Sequence, residues 1–365
     1  MNVQLAIIGL PKSGKTTLFN ALTKGKAEVS AYSSSLTANI GTAKVPDSRL
    51  SVLEEIFHPK KTVPAEVNYV DIAGSPKTFG SQEGAGGTFL NYLTTADALI
   101  QVVRGFKDEK LPHPTGSINH KQDITNLDLE LAFSDLAIIE RRLERLEITL
   151  KGAKASEREL CLKEQVLLRK IKAGLEKDIP IREQGLAESE SKMLSHYQFL
   201  TAKPMLLVLN IGEEQIPQAC QLENDIRTLY PHFAVVALCG KLEMELAQLG
   251  DTEAEEFCRA MGLITPALDR VINLSYNLLG LITFFTTASA ELKAWTIASG
   301  TTAPKAAGKV HSDMERGFIR AEVIGYRDLE TCGNLAEARK RCLLRVEGKN
   351  YIVQDGDIIT ILFNV

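Results

Sequence analysis

The sequence predicts an α/β fold: a doubly wound, mainly parallel sheet, interrupted by an inserted helical arm and followed by a smaller module of strands. Three observations predict it. Apolar runs at 3–8, 66–71, 98–104, 204–210 and 234–238 alternate with helix-like runs, the pattern of successive βα units around a parallel sheet. The interval from Asp71 to Asn210 is too long for one connection and contains a leucine stripe at helical spacing. From about Leu281 a second series of strand-like runs begins.

The first run leads directly into Gly9-Leu-Pro-Lys-Ser-Gly14-Lys15-Thr16, which is followed by a helix-like run from Thr17 to Leu22. In that context GxxxxGK[ST] is a phosphate-binding loop: the glycines let successive N–H groups face one anion, and the helix N-terminus adds its positive end. Gly9, Pro11, Lys12, Ser13, Gly14, Lys15, Thr16 and Thr17 are the candidate phosphate contacts. Lys15 is expected to reach the β- and γ-phosphates and serve catalysis, and the Thr16 hydroxyl to coordinate Mg²⁺.

The next run, Glu66 to Asp71, ends in Asp71-Ile-Ala-Gly74. An Asp at a strand end can hold Mg²⁺, and the Gly74 N–H can meet the γ-phosphate, which makes Gly74 a second catalytic candidate. Between the two motifs, Ser33 to Gly41 is polar and turn-like and suits a loop that senses the γ-phosphate; Ser35 or Thr37 supplies a further hydroxyl to the metal. Farther on, the strand-like Pro204 to Asn210 ends in Asn210-Ile-Gly-Glu213. Guanine-specific switches carry NKxD there, the Asp accepting from guanine N1 and its 2-amino group. Here Glu213 is one methylene longer and Ile211 replaces the Lys, both of which weaken the case for guanine. Asn210 is expected to brace the phosphate loop, and Cys239-Gly240 to form the loop beneath the base.

The insertion reads as an arm. Leu136, Ile139, Leu143, Leu146 and Leu150 step by 3 and 4, with charged residues on the other faces. A second run from Glu157 to Lys177 carries Leu160, Leu167, Ile171 and Leu175; Gly152 offers the turn, and Pro180 ends the arm. Such a stripe serves as an intramolecular seam, and an exposed arm also serves as a docking lever. The domains expected are 1–125 with 201–280 for nucleotide binding, 126–200 for the helical arm, and 281–365 for the tail. Within the tail, Leu281 to Thr287, Leu292 to Ile297, Phe318 to Ile324 and Ile358 to Phe363 read as strands, and Thr302 to Val310 as a helix. The lone Trp295 reads as a core residue.

Composition narrows the class. Hydrophobic residues make up 44% and charged residues 24% of the 365, ordinary for a globular protein. The net charge is −4, which gives no support to wholesale binding of DNA. Residues 281–365 carry 11 Lys and Arg against 10 Asp and Glu, a local shift toward basic centred on Arg339-Lys340-Arg341. The apolar run Val271 to Phe285 is broken by polar residues, so no membrane span is expected. The N-terminal apolar stretch runs straight into the phosphate loop and is not read as a signal peptide. The six cysteines form no CxxC pair, which suits reduced thiols in a cytoplasmic protein.

These residues, in this order, resemble the Obg-like ATPases of the YchF type over essentially the whole chain. The resemblance lies in the phosphate loop, in Asn39-Ile-Gly, in Val45-Pro-Asp-Ser-Arg-Leu50, and in the tail. There Ala294-Trp-Thr-Ile, Gly300-Thr-Thr-Ala-Pro-Lys-Ala-Ala-Gly308, Glu315 to Val323 and Val353-Gln-Asp-Gly-Asp357 match. The resemblance implies that the tail is a TGS domain, a ubiquitin-like β-grasp module. It implies ATP (or GTP) with Mg²⁺ as ligands, Glu213 as part of an ATP-preferring NxxE, and Ser35 as the second metal-ligating hydroxyl. It also implies association with the ribosome or ribosomal RNA through the arm and the TGS domain. The sequence departs from the family after Gly74: a hydrophobic residue usual there is Ser75, followed by Pro76, which lacks an N–H. Neither can orient water as the Gln of ordinary GTPases does, so slow hydrolysis by a nucleotide switch is the leading expectation. A non-hydrolysing adaptor is the alternative. A small-molecule kinase fits poorly, because no arginine-rich lid is visible.

Overall fold

The computed structural model describes residues 3–25, 38–72, 85–114, 116–152, 154–260, 266–288 and 290–364. Its strands are β1 (Gln4–Ile8), β2 (Asn39–Lys44), β3 (Lys61–Val63), β4 (Glu66–Asp71), β5 (Ala98–Arg104), β6 (Met205–Asn210), β7 (Ala234–Leu238), β8 (Leu281–Ala288), β9 (Glu291–Ala298), β10 (Phe318–Gly325), β11 (Arg345–Glu347) and β12 (Asp357–Phe363). The chain divides into two compact units. One comprises 1–41 and 68–271, the other 42–67 and 272–365.

The sheet of the first unit has the order β2-β4-β1-β5-β6-β7, and its strands from β4 to β7 are parallel. Every residue of β5 and β6 is buried, as central parallel strands covered on both faces require. On one face, Ala6, Ile8, Val70, Leu99, Val103, Leu207 and Val235 pack against Phe89 and Leu93 of the Ala85–Thr95 helix and Ile124, Leu127 and Leu131 of the His120–Gly152 helix. The order reverses beside β1, and that is where a parallel sheet opens a crevice at its carboxyl ends.

The insertion contains two long helices, His120–Gly152 and Ala155–Leu175. Glu140 pairs with Lys172 and Arg142 with Glu164, which sets them antiparallel. Ile139, Leu146, Leu168 and Ile171 form the seam, with Leu136, Leu143 and Leu150 partly buried beside it. Leu160 departs from the expected stripe: it is 64% exposed. At the root of the arm, Asp135 is fully buried and accepts from Leu200 N (2.9 Å), Thr201 N (2.8 Å) and Thr201 Oγ1 (2.6 Å). Beyond the arm the chain is helical over Glu188–Leu194 and then continues in the short 3-10 turns Ser195–Tyr197 and Leu200–Ala202.

The second unit is a mixed sheet of order β11-β10-β12-β8-β9-β3. β8 and β9 form a hairpin, β12 runs parallel to β8, and β10 is antiparallel to β12. The Ala303–Val310 helix lies on one face through Ala303, Ala306 and Ala307, against Phe284, Ile297, Phe318, Val323 and Ile359. A mixed sheet with a helix laid across one face is the arrangement expected of a β-grasp module, here accompanied by the shorter helices Ser312–Arg316, Tyr326–Cys332 and Leu335–Lys340. Trp295 packs beside this core and donates Nε1–H to Thr286 Oγ1 at 2.9 Å. Its outermost strand, β3, comes from the N-terminal part of the chain and pairs in parallel with β9. The first domain as read from sequence is therefore interrupted: 42–67 packs with the tail. Among the described residues, no helix is long and apolar enough to cross a membrane.

Candidate nucleotide site

The loop after β1 has the backbone its glycines imply. Gly9 has φ +151°, and a Cβ there would lie 2.4 Å from Val102 O. Gly14 has φ +95°, and a Cβ would lie 2.1 Å from Asn210 Nδ2, so any side chain at either position displaces neighbouring structure. The Lys15–Thr23 helix starts at the far side of the loop. Pro11, Lys12 and Thr17 are half-buried around it, and Lys12 takes φ 65°. The Lys15 ammonium folds back onto the loop, donating to Gly9 O at 3.0 Å and Leu10 O at 3.1 Å. Burial pushes its pKa down to about 8, with the charge of Asp71 opposing.

The register Ile7↔Asp71 brings the end of β4 alongside the start of the loop. Thr16 Oγ1 donates to Asp71 Oδ2 at 2.7 Å. Asp71 Oδ1 and Ser13 Oγ are buried and have no hydrogen-bond partner among the described residues. A hydroxyl and a carboxylate that meet with acceptor capacity to spare form the hard-oxygen set that suits Mg²⁺. Gly74, Ser35 and Thr37 lie outside the described residues, as do Ser75 and Pro76. One sequence reading changes nearby: Asn39-Ile-Gly41 is the start of β2 rather than loop.

Asn210, the last residue of β6, ties two loops together. Its Nδ2 donates to Ser13 O at 2.9 Å, and its Oδ1 accepts from Gly240 N at 2.9 Å. A Cβ on Gly240 would sit 3.0 Å from that same Oδ1, so the small residue lets the second loop close on Asn210. The side chains of two candidates lie in the core. The Ile211 side chain is 2% exposed and belongs to the sheet core, and Cys239 is 5% exposed in a cluster with Leu242, Leu246 and Cys258. Burial pushes the Cys239 thiol up, away from reactivity. These two residues support the site through packing. Glu213 is half exposed and pairs with Lys241 Nζ at 3.1 Å, a partner that sequence reasoning missed.

A second missed feature lies at the carboxyl end of β5. Arg104 stands opposite Asn210 in the register, is buried, and lies 4.5 Å from the Phe106 ring centroid. Near it His113 Nε2 meets Asp123 Oδ2 at 3.0 Å, both side chains buried. Burial raises the Asp123 pKa, with His113 opposing, and lowers those of Arg104 and His120. Arg104 Nη1, Asp123 Oδ1 and His120 Nε2 have no hydrogen-bond partner among the described residues. The only sequence signal is an otherwise apolar strand ending in Arg. Nothing in the spacing announces that His113, His120 and Asp123 converge on it.

Comparison with known proteins follows the same lines. Residues 4–142 match the family described as 50S ribosome-binding GTPase, and residues 281–364 match YchF-GTPase_C, a protein of unknown function (DUF933). The chain is 38% identical to the ribosome-binding ATPase YchF of Bacillus subtilis (strain 168), over 100% of both chains. It is likewise 38% identical to the protein of that name in Escherichia coli O157:H7, again over 100% of each. Among solved structures it resembles the YchF GTPase of Schizosaccharomyces pombe, with a TM-score of 0.85 and 30% identity over 99% of this chain and 98% of that one.

Proposed function

The chain belongs to the YchF family of nucleotide hydrolases, and from that premise we propose that it is a Mg²⁺-dependent, ATP-preferring switch with slow hydrolysis, acting on the ribosome in the cytoplasm. The observation that carries the reading is the convergence of Lys15, Thr16 and Asp71 on one loop, with Asp71 Oδ1 buried and without a partner among the described residues. Lys15 would turn from the loop carbonyls to the β- and γ-phosphates. Thr16 and Asp71 would hold Mg²⁺, with Ser35 as a further ligand, and the Gly74 N–H would meet the γ-phosphate. The metal, when bound, supplies charge neutralisation at the phosphates. The residues of the chain position the triphosphate, and no side-chain base for water is identified.

Two observations support ATP over GTP. The position of the NKxD Lys is the buried Ile211, and the Glu213 carboxylate is already paired with Lys241. The sequence Ser75-Pro76 supports slow turnover, with a partner needed to speed it. The helical arm (126–200) and the tail (281–365), read as a TGS domain, are the attachments for the ribosome or its RNA; the name "ribosome-binding ATPase" carried by the relatives supports this.

Calorimetric titration with non-hydrolysable ATP and GTP analogues and Mg²⁺ tests the binding, and single-turnover hydrolysis with and without ribosomes tests the switch. The expected result is tighter binding of the ATP analogue and an intrinsic rate well below about 1 s⁻¹, raised by ribosomes. Binding of neither analogue sinks the proposal. Tight binding with no turnover even on ribosomes would select the adaptor reading, which the departure at Ser75-Pro76 motivates.

A further inference from the structure

Two stretches that sequence singled out have no part in the nucleotide site: Val45-Pro-Asp-Ser-Arg-Leu50 and Val353-Gln-Asp-Gly-Asp357. The structure joins them. Arg49 clasps Asp47 through Nε–Oδ1 (2.8 Å) and Nη2–Oδ2 (2.7 Å), and reaches Asp355 Oδ2 through Nη1 at 2.7 Å. Asp355 Oδ1 in turn accepts from Thr283 N of β8 at 2.8 Å. The Arg49 guanidinium lies 5.2 Å from the ring centroid of Phe285 on the same strand. A Cβ on Gly356 would come within 2.9 Å of Arg49 Nη1, so the turn into β12 is cut to fit the guanidinium.

The clamp lies on a particular piece of chain. The chain leaves the first unit at Gly41 and re-enters it at Asn68. The excursion follows the polar segment read as the first phosphate sensor and runs back through β4 to Asp71, the carboxylate on Thr16. Its base is closed by Val45 N donating to Ala65 O at 2.8 Å. Within it the Arg49–Phe57 helix buries Leu50 and Leu53, and β3 joins the second sheet along Lys61↔Glu291 to Val63↔Lys293. One covalent segment thus follows the residues read as the first phosphate sensor and returns to Asp71, while its middle is built into the second sheet.

We propose that this excursion is a relay that couples the nucleotide state of the first unit to the sheet of the second, with the Arg49–Asp355 clamp as its latch. The proposal rests on the nucleotide reading above. Coupling of this kind is reciprocal: loosening the latch must also alter the preference for one nucleotide state over another.

Hydrogen–deuterium exchange on the full chain, free, with ADP and with a non-hydrolysable ATP analogue, tests it. Expected is protection of the phosphate loop by both ligands, together with a difference between ADP and analogue at 45–63, 281–298 and 353–363. In Arg49→Gln that difference should vanish while loop protection stays, and the ratio of analogue to ADP affinity should change at least about fivefold. Asp355→Asn, which can still accept from Thr283 N, should give a partial form of the same loss and serves if Arg49→Gln does not fold. A protected loop with no difference at 281–298 and 353–363 in the wild-type chain overturns the relay and leaves the nucleotide reading intact. So does a difference that survives in both variants. No protection of the loop by either ligand sinks the nucleotide reading and the relay together.

Discussion

Asn210 does at the scale of one residue what the site needs at the scale of two loops. It contributes one donor and one acceptor, both buried, to Ser13 and Gly240. Truncation removes two hydrogen bonds and leaves a buried N–H without an acceptor, at a cost of about 2 kcal/mol or more. Asn210→Ala is therefore expected to lower the denaturant midpoint and to weaken nucleotide binding roughly tenfold, which corresponds to about 1.4 kcal/mol. Unchanged affinity in titration calorimetry would reduce Asn210 to a core residue. Lys15 gives a pH signature. Its pKa is lowered to about 8 in the free protein, so the ammonium is lost as pH rises through that value. A bound triphosphate favours the charged form, so binding must take up a proton above pH 8. Affinity should hold below about pH 7.5 and then fall by up to tenfold per pH unit above 8. In Lys15→Met binding should be weaker and this fall absent; the same slope in the variant would assign it to another group.

At the scale of elements, the arm shows how far a stripe can be trusted. Leu160 and Leu168 lie on one helix and are both leucines, yet Leu168 is fully buried in the seam and Leu160 is 64% exposed. Leu168→Ala should cost about 3 kcal/mol, within the usual 2–5 for a buried leucine. Leu160→Ala should stay within about 0.5 kcal/mol. Urea titration followed by helix signal checks both, and equal effects would mean that the tip of the arm is packed. The same logic explains what sequence made legible. β4, β5 and β7 coincide with the expected runs, and β5 is buried throughout because it lies in the middle of a parallel sheet covered on both faces. β2, a polar strand at the edge of the first sheet, and β3, three residues at the edge of the second, carry no such run. The phosphate loop, Asp71 and Asn210 were legible because each closes a strand. The charges around Arg104 were not, because only folding brings His113, His120 and Asp123 to the end of β5.

At the scale of the whole molecule, the sequence pattern changes near residue 281, while the compact units are 1–41 with 68–271 and 42–67 with 272–365. The pairing of Arg49 with Asp355 spans 306 residues of sequence, a contact that no local pattern encodes. The segment 42–67 hydrogen-bonds to the tail at three places: Lys60 N donates to Ala290 O at 2.7 Å, β3 pairs with β9, and Arg49 holds Asp355. Its Leu53 is fully buried and Leu50 8% exposed within the unit that the tail completes. Cutting the chain after residue 280 would strip β3 of its neighbour and uncover both leucines on a helix of only nine residues, too short to persist without packing. An unpaired strand beside exposed apolar side chains is a site for association between copies. The fragment 1–280 is thus expected to express as aggregating or partly unfolded protein, despite containing every nucleotide-site residue named above. Gel filtration, helix signal and analogue titration of the fragment decide the matter. A monomer that binds nucleotide as tightly as the full chain would show that 42–67 folds without the tail, and that the second unit begins where the sequence pattern changes.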